Sequence, residues 1–243
     1  MGFPKVGPDR LRRALAVFAH PDDETCLAGG VLARCAAEGF EVSLICATRG
    51  EQAPPCCLPE PVSPAEMGRI REQELRCAAQ VLGIRRVRIL NLPDGLVREH
   101  QARLEALLVR FIQDLQPLVV LSFGPDGVTG HPDHVAVGEA VARAIEAAGR
   151  PSTSKDPELA WAGLKPWQVP FYYQLVDPRR SAPYGEIWMI DVSAYLWTKI
   201  RALRCHQSQR CCWEPMLHGG DGSALRVEVL RVIRGRSGLI WKS

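Results

Sequence analysis

No apolar run in this 243-residue chain approaches the length of a membrane span. The run nearest the N-terminus, Leu15–Ala19, stops at His20 and is too short for a signal-peptide core. Cys-x-x-Cys is absent, although there are nine cysteines. The adjacent pairs Cys56-Cys57 and Cys211-Cys212 lack the usual spacing of structural zinc ligands. Cys26, Cys35, Cys46 and Cys77 fall at apolar positions, where a free thiol behaves as a small hydrophobe, so a reducing cytoplasm is the expected setting. Gly-x-Gly-x-x-Gly and the P-loop are missing, and the Gly29-Gly30 pair follows an acidic turn where a pyrophosphate would need bare N–H groups. Without Gly-x-Ser-x-Gly a serine hydrolase is not expected. A net charge of +3, with aromatics at 7% and not interleaved with basic residues, excludes the pattern of a nucleic-acid binder.

What is present is an alternation of short apolar runs and helical periodicities. Strands are expected at Leu15–Ala19, Glu41–Thr48, Val87–Leu90 and Leu118–Phe123. The helices between them close at Gly39, Gly83, Pro117 and Gly149. Ser63-Pro64-Ala65-Glu66 is a capping box with proline at the first helical position. Four β-α repeats imply an α/β fold: a three-layer, Rossmann-like, mostly parallel sheet with helices on both faces. The chain reads as one domain over residues 1–243, with a loose arm at 1–13 and a loop excursion at 150–170. Phe171–Val176 and Ile187–Asp191 read as further strands, and Leu225–Ile233 fits strand and helix equally.

The polar residues cluster where the strands end. Ala19-His20-Pro21-Asp22-Asp23-Glu24 follows the first strand, and Gly130-His131-Pro132-Asp133-His134 follows the fourth. Three carboxylates and an imidazole in five residues are costly together unless a cation neutralises them. Of six histidines, three fall in these two His-Pro-Asp turns. Ligands in open α/β sheets lie at the carboxyl ends of strands, so the two turns are expected to meet on one divalent ion. Two histidines and one carboxylate with an open position make a catalytic set that suits zinc, and iron(II) accepts it too. Asp22 and Asp23 suit a division of labour, one binding the ion and one abstracting a proton; Asp133 can orient an imidazole from behind.

These turns resemble the LmbE/PIG-L N-deacetylases, metal-dependent enzymes that remove acetyl groups from N-acetylglucosaminyl compounds. Arg71-x-x-Glu74, Leu92-Pro93-Asp94-Gly95 and His206-x-Ser208-Gln209 look like secondary motifs of that family. The resemblance implies His20, Asp23 and His134 as zinc ligands, Asp22 as general base and His131 as partner of the oxyanion. Arg71 and Asp94, with His206, would contact the substrate. Thr129 stands where some members carry a tyrosine that helps the tetrahedral intermediate. The expected partner is a small N-acetylated sugar conjugate, with no nucleic acid or membrane and with homo-oligomers allowed. An amidase of the same fold, acting for example on a mycothiol S-conjugate, and a non-catalytic binding homologue are the competing expectations.

Overall fold

The computed structural model describes residues 12–54, 57–58, 60–151, 164–179, 185–218 and 223–235. Residues 1–11 of the expected arm, 152–163 of the loop excursion, and Cys56 lie outside them. Arg13, assigned to the arm from sequence, instead opens the first strand. The strands are β1 (Arg13–Phe18), β2 (Glu41–Cys46), β3 (Arg86–Ile89), β4 (Val119–Phe123), β5 (Phe171–Leu175), β6 (Glu186–Asp191) and β7 (Val227–Arg234). They form one sheet in the order β3-β2-β1-β4-β5-β7-β6. The first five run parallel; β7 pairs antiparallel with both β5 and β6. The expected mostly parallel α/β sheet is thus observed, and of the ambiguous segment Leu225–Ile233 the first two residues end a short helix while the rest lie in β7.

β1 and β4 are apolar because both of their faces are covered, as in parallel sheets generally. On one face lie α1 (Asp23–Ala37), α2 (Pro64–Leu82) and, packed on both, α5 (Leu196–Leu203). On the other lie α3 (Gln101–Leu115) and α4 (Pro132–Ala148), packed on each other. A further helix, α6 (Arg210–His218), follows α5. No helix among the described residues is long and apolar enough to cross a membrane.

Local chemistry sets the helix ends. Ser63 Oγ accepts the Glu66 N–H at 3.2 Å, Pro64 takes the first helical position, and Gly83 closes α2 with φ 79°. Gly30 is small because α1 passes close to Val192, whose Cβ would lie 2.4 Å from an added Cβ. Glu228 of β7 then accepts the Gly30 and Val31 N–H groups, each at 2.8 Å, and pairs with the buried Lys199 at 2.7 Å. A carboxylate near the C-terminus therefore holds the middle of α1.

One cysteine expectation is corrected. Cys77 is not a free buried thiol: it forms a disulfide with Cys205, 128 residues away, which ties α2 to the end of α5. Disulfides are rare in reducing compartments, so part of the argument for a cytoplasmic setting is removed. The other three thiols of that reading, Cys26, Cys35 and Cys46, are free.

The strand order reverses direction at β1: the chain steps outward from β1 through β2 to β3, then returns to place β4 on the other side of β1. Such a switch point leaves a crevice beyond the carboxyl ends of the two strands. β1 runs into His20 and β4 runs toward His131, so both His-Pro-Asp turns open onto the same crevice.

Candidate metal centre and its surroundings

The structure brings the two turns together. His20 Nδ1 lies 3.2 Å from His134 Nε2, His134 Nε2 lies 3.2 Å from Asp23 Oδ1, and His20 Nδ1 lies 3.6 Å from Asp23 Oδ2. Tetrahedral ligation with bonds near 2.0–2.1 Å separates donor atoms by about 3.3 Å, so two imidazole nitrogens and the Asp23 carboxylate at these spacings suit such a site. The rings are oriented from behind. His20 Nε2 faces Asp94 Oδ1 at 3.0 Å and Asp133 Oδ2 at 3.2 Å, and His134 Nδ1 faces the Gly127 carbonyl at 3.0 Å. A proton on each outward nitrogen satisfies these acceptors. Each inward nitrogen is then left with its lone pair, beside the Asp23 carboxylate. Three lone pairs aimed at one point are unfavourable without a cation.

The titration of these groups agrees. Burial alone would lower His20, but hydrogen bonds to Asp133, Asp23 and Asp94 outweigh it and hold the imidazole well above its ordinary value. Burial would also lower His134, and the Asp23 charge raises it. Burial would raise Asp23, yet the His134 charge and the bonds from both rings hold it well below the usual carboxylate range. The cluster therefore draws positive charge to its centre, as protons or as a metal.

Two other groupings share His20. His20 Nε2 with Asp94 and Asp133 could also surround a cation, and so could the three histidines together. A proton on His20 Nε2 already serves the first arrangement. Asp133 is further occupied by the Gly95 N–H at 2.7 Å and the Val97 N–H at 3.1 Å. In the second, His131 Nδ1 accepts the Asp133 N–H at 3.2 Å and caps α4, which leaves only its Nε2 free. The His20–Asp23–His134 set brings a negative charge and needs no such rearrangement.

His131 is exposed at the mouth, its ring 4.8 Å from that of His20. Burial and the neighbouring imidazoles lower its pKa and favour the neutral form. Because Nδ1 accepts from the backbone, the neutral ring carries its proton on Nε2, available to a ligand oxygen. Thr129 is exposed beside it and accepts the His131 N–H at 3.3 Å, too short a side chain to act as a phenol would.

Asp22 stands next to the cluster without joining it. Its φ is 119°, a region that non-glycine residues occupy only when their surroundings force it. Burial pushes its carboxyl up to about 6; the Arg71 guanidinium opposes this, and the Asp23 charge adds to it. Val128, a β-branched residue at φ 63° in the loop before His131, is the second strained position at the site.

Three residues expected at the substrate are engaged by partners within the protein. Arg71 is only 4% exposed; it donates to the Gly50 carbonyl at 2.9 Å, to Asp22 Oδ2 at 3.1 Å and to the Pro21 carbonyl. Gly50 admits it: a Cβ there would lie 2.1 Å from Arg71 Nη1. Glu74, the partner suggested by spacing, instead accepts from the Ser208 N–H and hydroxyl, both at 2.7 Å. Asp94 faces His20 and the Gln52 N–H, with its side chain 8% exposed. His206 is fully buried against Glu24, Nε2 to Oε1 at 2.9 Å, where burial would lower its pKa and the Glu24 charge raises it. Arg71 and His206 are buried, whereas the Asp94 side chain is as exposed as that of Asp23 and lies beside His20.

Arg71→Ala is therefore expected to act through Asp22. Loss of the cation raises the Asp22 pKa, so the acid limb of the rate profile should move to higher pH, with KM changing less than kcat. A pH profile of kcat for the two proteins measures it; a KM effect alone would return Arg71 to the substrate.

Sequence alone assigns no individual role to Gly50, nor to Glu24 and Glu74, although the latter two stand in the motifs that carry the resemblance. The signal for Glu24 was present: a third carboxylate in the first turn, too crowded for one cation, needs a partner elsewhere. The sequence could not say that the partner is residue 206.

Comparison with known proteins matches residues 15–145 to the family model described as PIG-L, GlcNAc-PI de-N-acetylase. A deacetylase of 1D-myo-inositol 2-acetamido-2-deoxy-alpha-D-glucopyranoside from Kineococcus radiotolerans is 30% identical, over 83% of this chain and 70% of that one. A probable N-acetyl-alpha-D-glucosaminyl L-malate deacetylase from Bacillus anthracis is 37% identical, over 82% of this chain and 81% of that one. Among solved structures, the N,N'-diacetylchitobiose deacetylase of Pyrococcus horikoshii superposes with a TM-score of 0.72 at 25% identity, covering 92% of this chain and 84% of that one.

Proposed function

Because this chain belongs to the PIG-L family of GlcNAc-PI de-N-acetylases, we propose that it hydrolyses the acetamide of an N-acetylglucosaminyl conjugate to acetate and the free amine. The enzyme is a hydrolase of the C–N bond, and its relatives act on small acetylated sugars joined to inositol or to malate. The observation that supports this best is the convergence of His20, Asp23 and His134 with Asp22 alongside but outside the set.

His20, Asp23 and His134 would hold the cation, zinc in our reading, since two imidazoles, one carboxylate and an open position suit that ion. A divalent ion in that place supplies Lewis-acid activation of a water at neutral pH. Asp22, fixed by Arg71, takes the proton of the attacking water and returns it to the departing amine nitrogen. His131 donates its Nε2–H to the carbonyl oxygen as negative charge develops there. Asp94 and Asp133 keep the His20 ring in the tautomer that faces inward.

Acetate release from a panel of N-acetylglucosaminyl conjugates, including the inositol and malate compounds, tests this. Activity on at least one, abolished by chelator and restored by added zinc, is the expected outcome. A metal-loaded protein that binds these compounds without releasing acetate would instead be a non-catalytic homologue.

A further inference from the structure

We infer that Glu24 and His206 form a positioning pair for Asp22, a role that rests on the reading of Asp22 as general base. Asp22 is held from two sides. Arg71 fixes its carboxylate at 3.1 Å, and Glu24 Oε2 accepts its backbone N–H at 3.0 Å. The second contact matters because Asp22 sits at φ 119°, a strained conformation for a non-glycine residue that relaxes unless the surroundings hold it. The N–H of a residue in that geometry points at Glu24, and Glu24 can keep its place only if its other oxygen is satisfied.

That other oxygen has two partners, one adjacent in sequence and one 182 residues away. Glu24 Oε1 accepts from the Thr25 hydroxyl at 2.5 Å and faces His206 Nε2 at 2.9 Å. Both Glu24 and His206 are 0% exposed. A buried carboxylate that loses its imidazole partner is strongly unfavourable even with the Thr25 hydroxyl kept on Oε1, so loss of the imidazole loosens the hold of Glu24 on the Asp22 N–H. His206 is itself immobilised. Its carbonyl accepts the Trp213 Nε1–H at 2.7 Å, the following Ser208 is bonded to Glu74 of α2, and the preceding Cys205 is joined to Cys77 of the same helix. Since α2 also carries Arg71, one helix governs both restraints on Asp22: its guanidinium reaches the carboxylate, and its hold on residues 205–208 reaches the backbone through His206 and Glu24. A buried ion pair is weak evidence for a contribution to stability, which leaves geometry as what this pair provides.

Two substitutions separate positioning from general support of the fold. The amide nitrogen of His206→Gln stands near the position of Nε2 and can still donate to Glu24, whereas the shorter His206→Asn cannot reach it. His206→Asn should lose kcat on the order of 10²-fold, the effect of misplacing a reacting group by about 1 Å, with KM within about threefold and metal content unchanged. His206→Gln should recover most of that loss. Hydrogen exchange of the Asp22 amide in the metal-free protein should be faster in His206→Asn than in wild type and His206→Gln. An unchanged kcat in His206→Asn, metal lost in step with rate, or His206→Gln no better than His206→Asn overturns the positioning role. Wild type and Asp22→Asn are assayed alongside. A wild type that releases no acetate removes the deacetylase reading, whereas an inactive Asp22→Asn beside a fully active His206→Asn removes only the positioning pair.

Discussion

Asp22→Asn should keep its metal and lose kcat by a factor on the order of 10²–10⁴, the range of general acid–base catalysis. The amide keeps the shape of the side chain and can still accept from Arg71, whose 3.1 Å bond to Oδ2 fixes the position. What disappears is the basic oxygen. The pH dependence sharpens the test. A base acts only when deprotonated, and burial pushes Asp22 up to about 6, so wild-type activity should fall as pH drops through that region. A cation beside Asp22 favours the ionised form and moves the limb lower. In Asp22→Asn the limb should vanish or report another group, while titrated metal affinity stays near wild type. Retention of rate would mean that the proton goes elsewhere, with His131 the next acceptor at hand.

The second large effect is expected at the ion itself. His20→Ala and His134→Ala each remove, and Asp23→Asn neutralises, one of three groups that face each other at 3.2–3.6 Å. Loss of an outer partner of a metal-bound imidazole costs roughly 10–100-fold in affinity, and loss of a ligand should exceed that. Metal content after dialysis, measured by elemental analysis, should fall well below one ion per chain in all three variants. Asp133→Asn should lie between them and wild type, because Asp133 acts on His20 from behind, at 3.2 Å from Nε2. If Asp23→Asn retains a full complement of metal while His20→Ala and His134→Ala do not, the third ligand is His131, which also lies within reach of the other two rings.

Most of the framework could be read from the sequence because its signals are local. Periodicity and cap residues placed α2 and α4 to within a few residues, and apolar runs placed β1, β2 and β4. β7 resisted for a physical reason. Leu230 and Arg231 are adjacent yet both buried, and its pairing with β5 carries a register shift at Tyr172/Tyr173, so the alternation expected of a strand is broken. At the site, the residues were legible and their partnerships were not. Two His-Pro-Asp turns after apolar runs are a local pattern. That Arg71 reaches back to Asp22 rather than to Glu74, three residues on, depends on how α2 lies across the first turn of α1 and on Gly50 leaving room. Cys77 and Cys205, 128 residues apart, likewise give no local sign that they meet.

The hold on α1 also bears on how the protein comes into being. Translation delivers His20, Asp23 and His134 early, within the first 134 residues. The groups that secure α1, the helix that Asp23 opens, arrive later: His206 for Glu24, then Glu228 for the Gly30 and Val31 amides, 198 and 197 residues downstream. Contacts so distant in sequence form late, because the intervening loop must close before they repay its entropy. A chain still on the ribosome thus exposes all three candidate ligands before the groups that hold α1 are in place. Loading of the ion is expected to be among the last events of biogenesis, and a nascent chain stalled before residue 206 would display imidazoles and carboxylates to every metal in its surroundings without the rigidity to select among them.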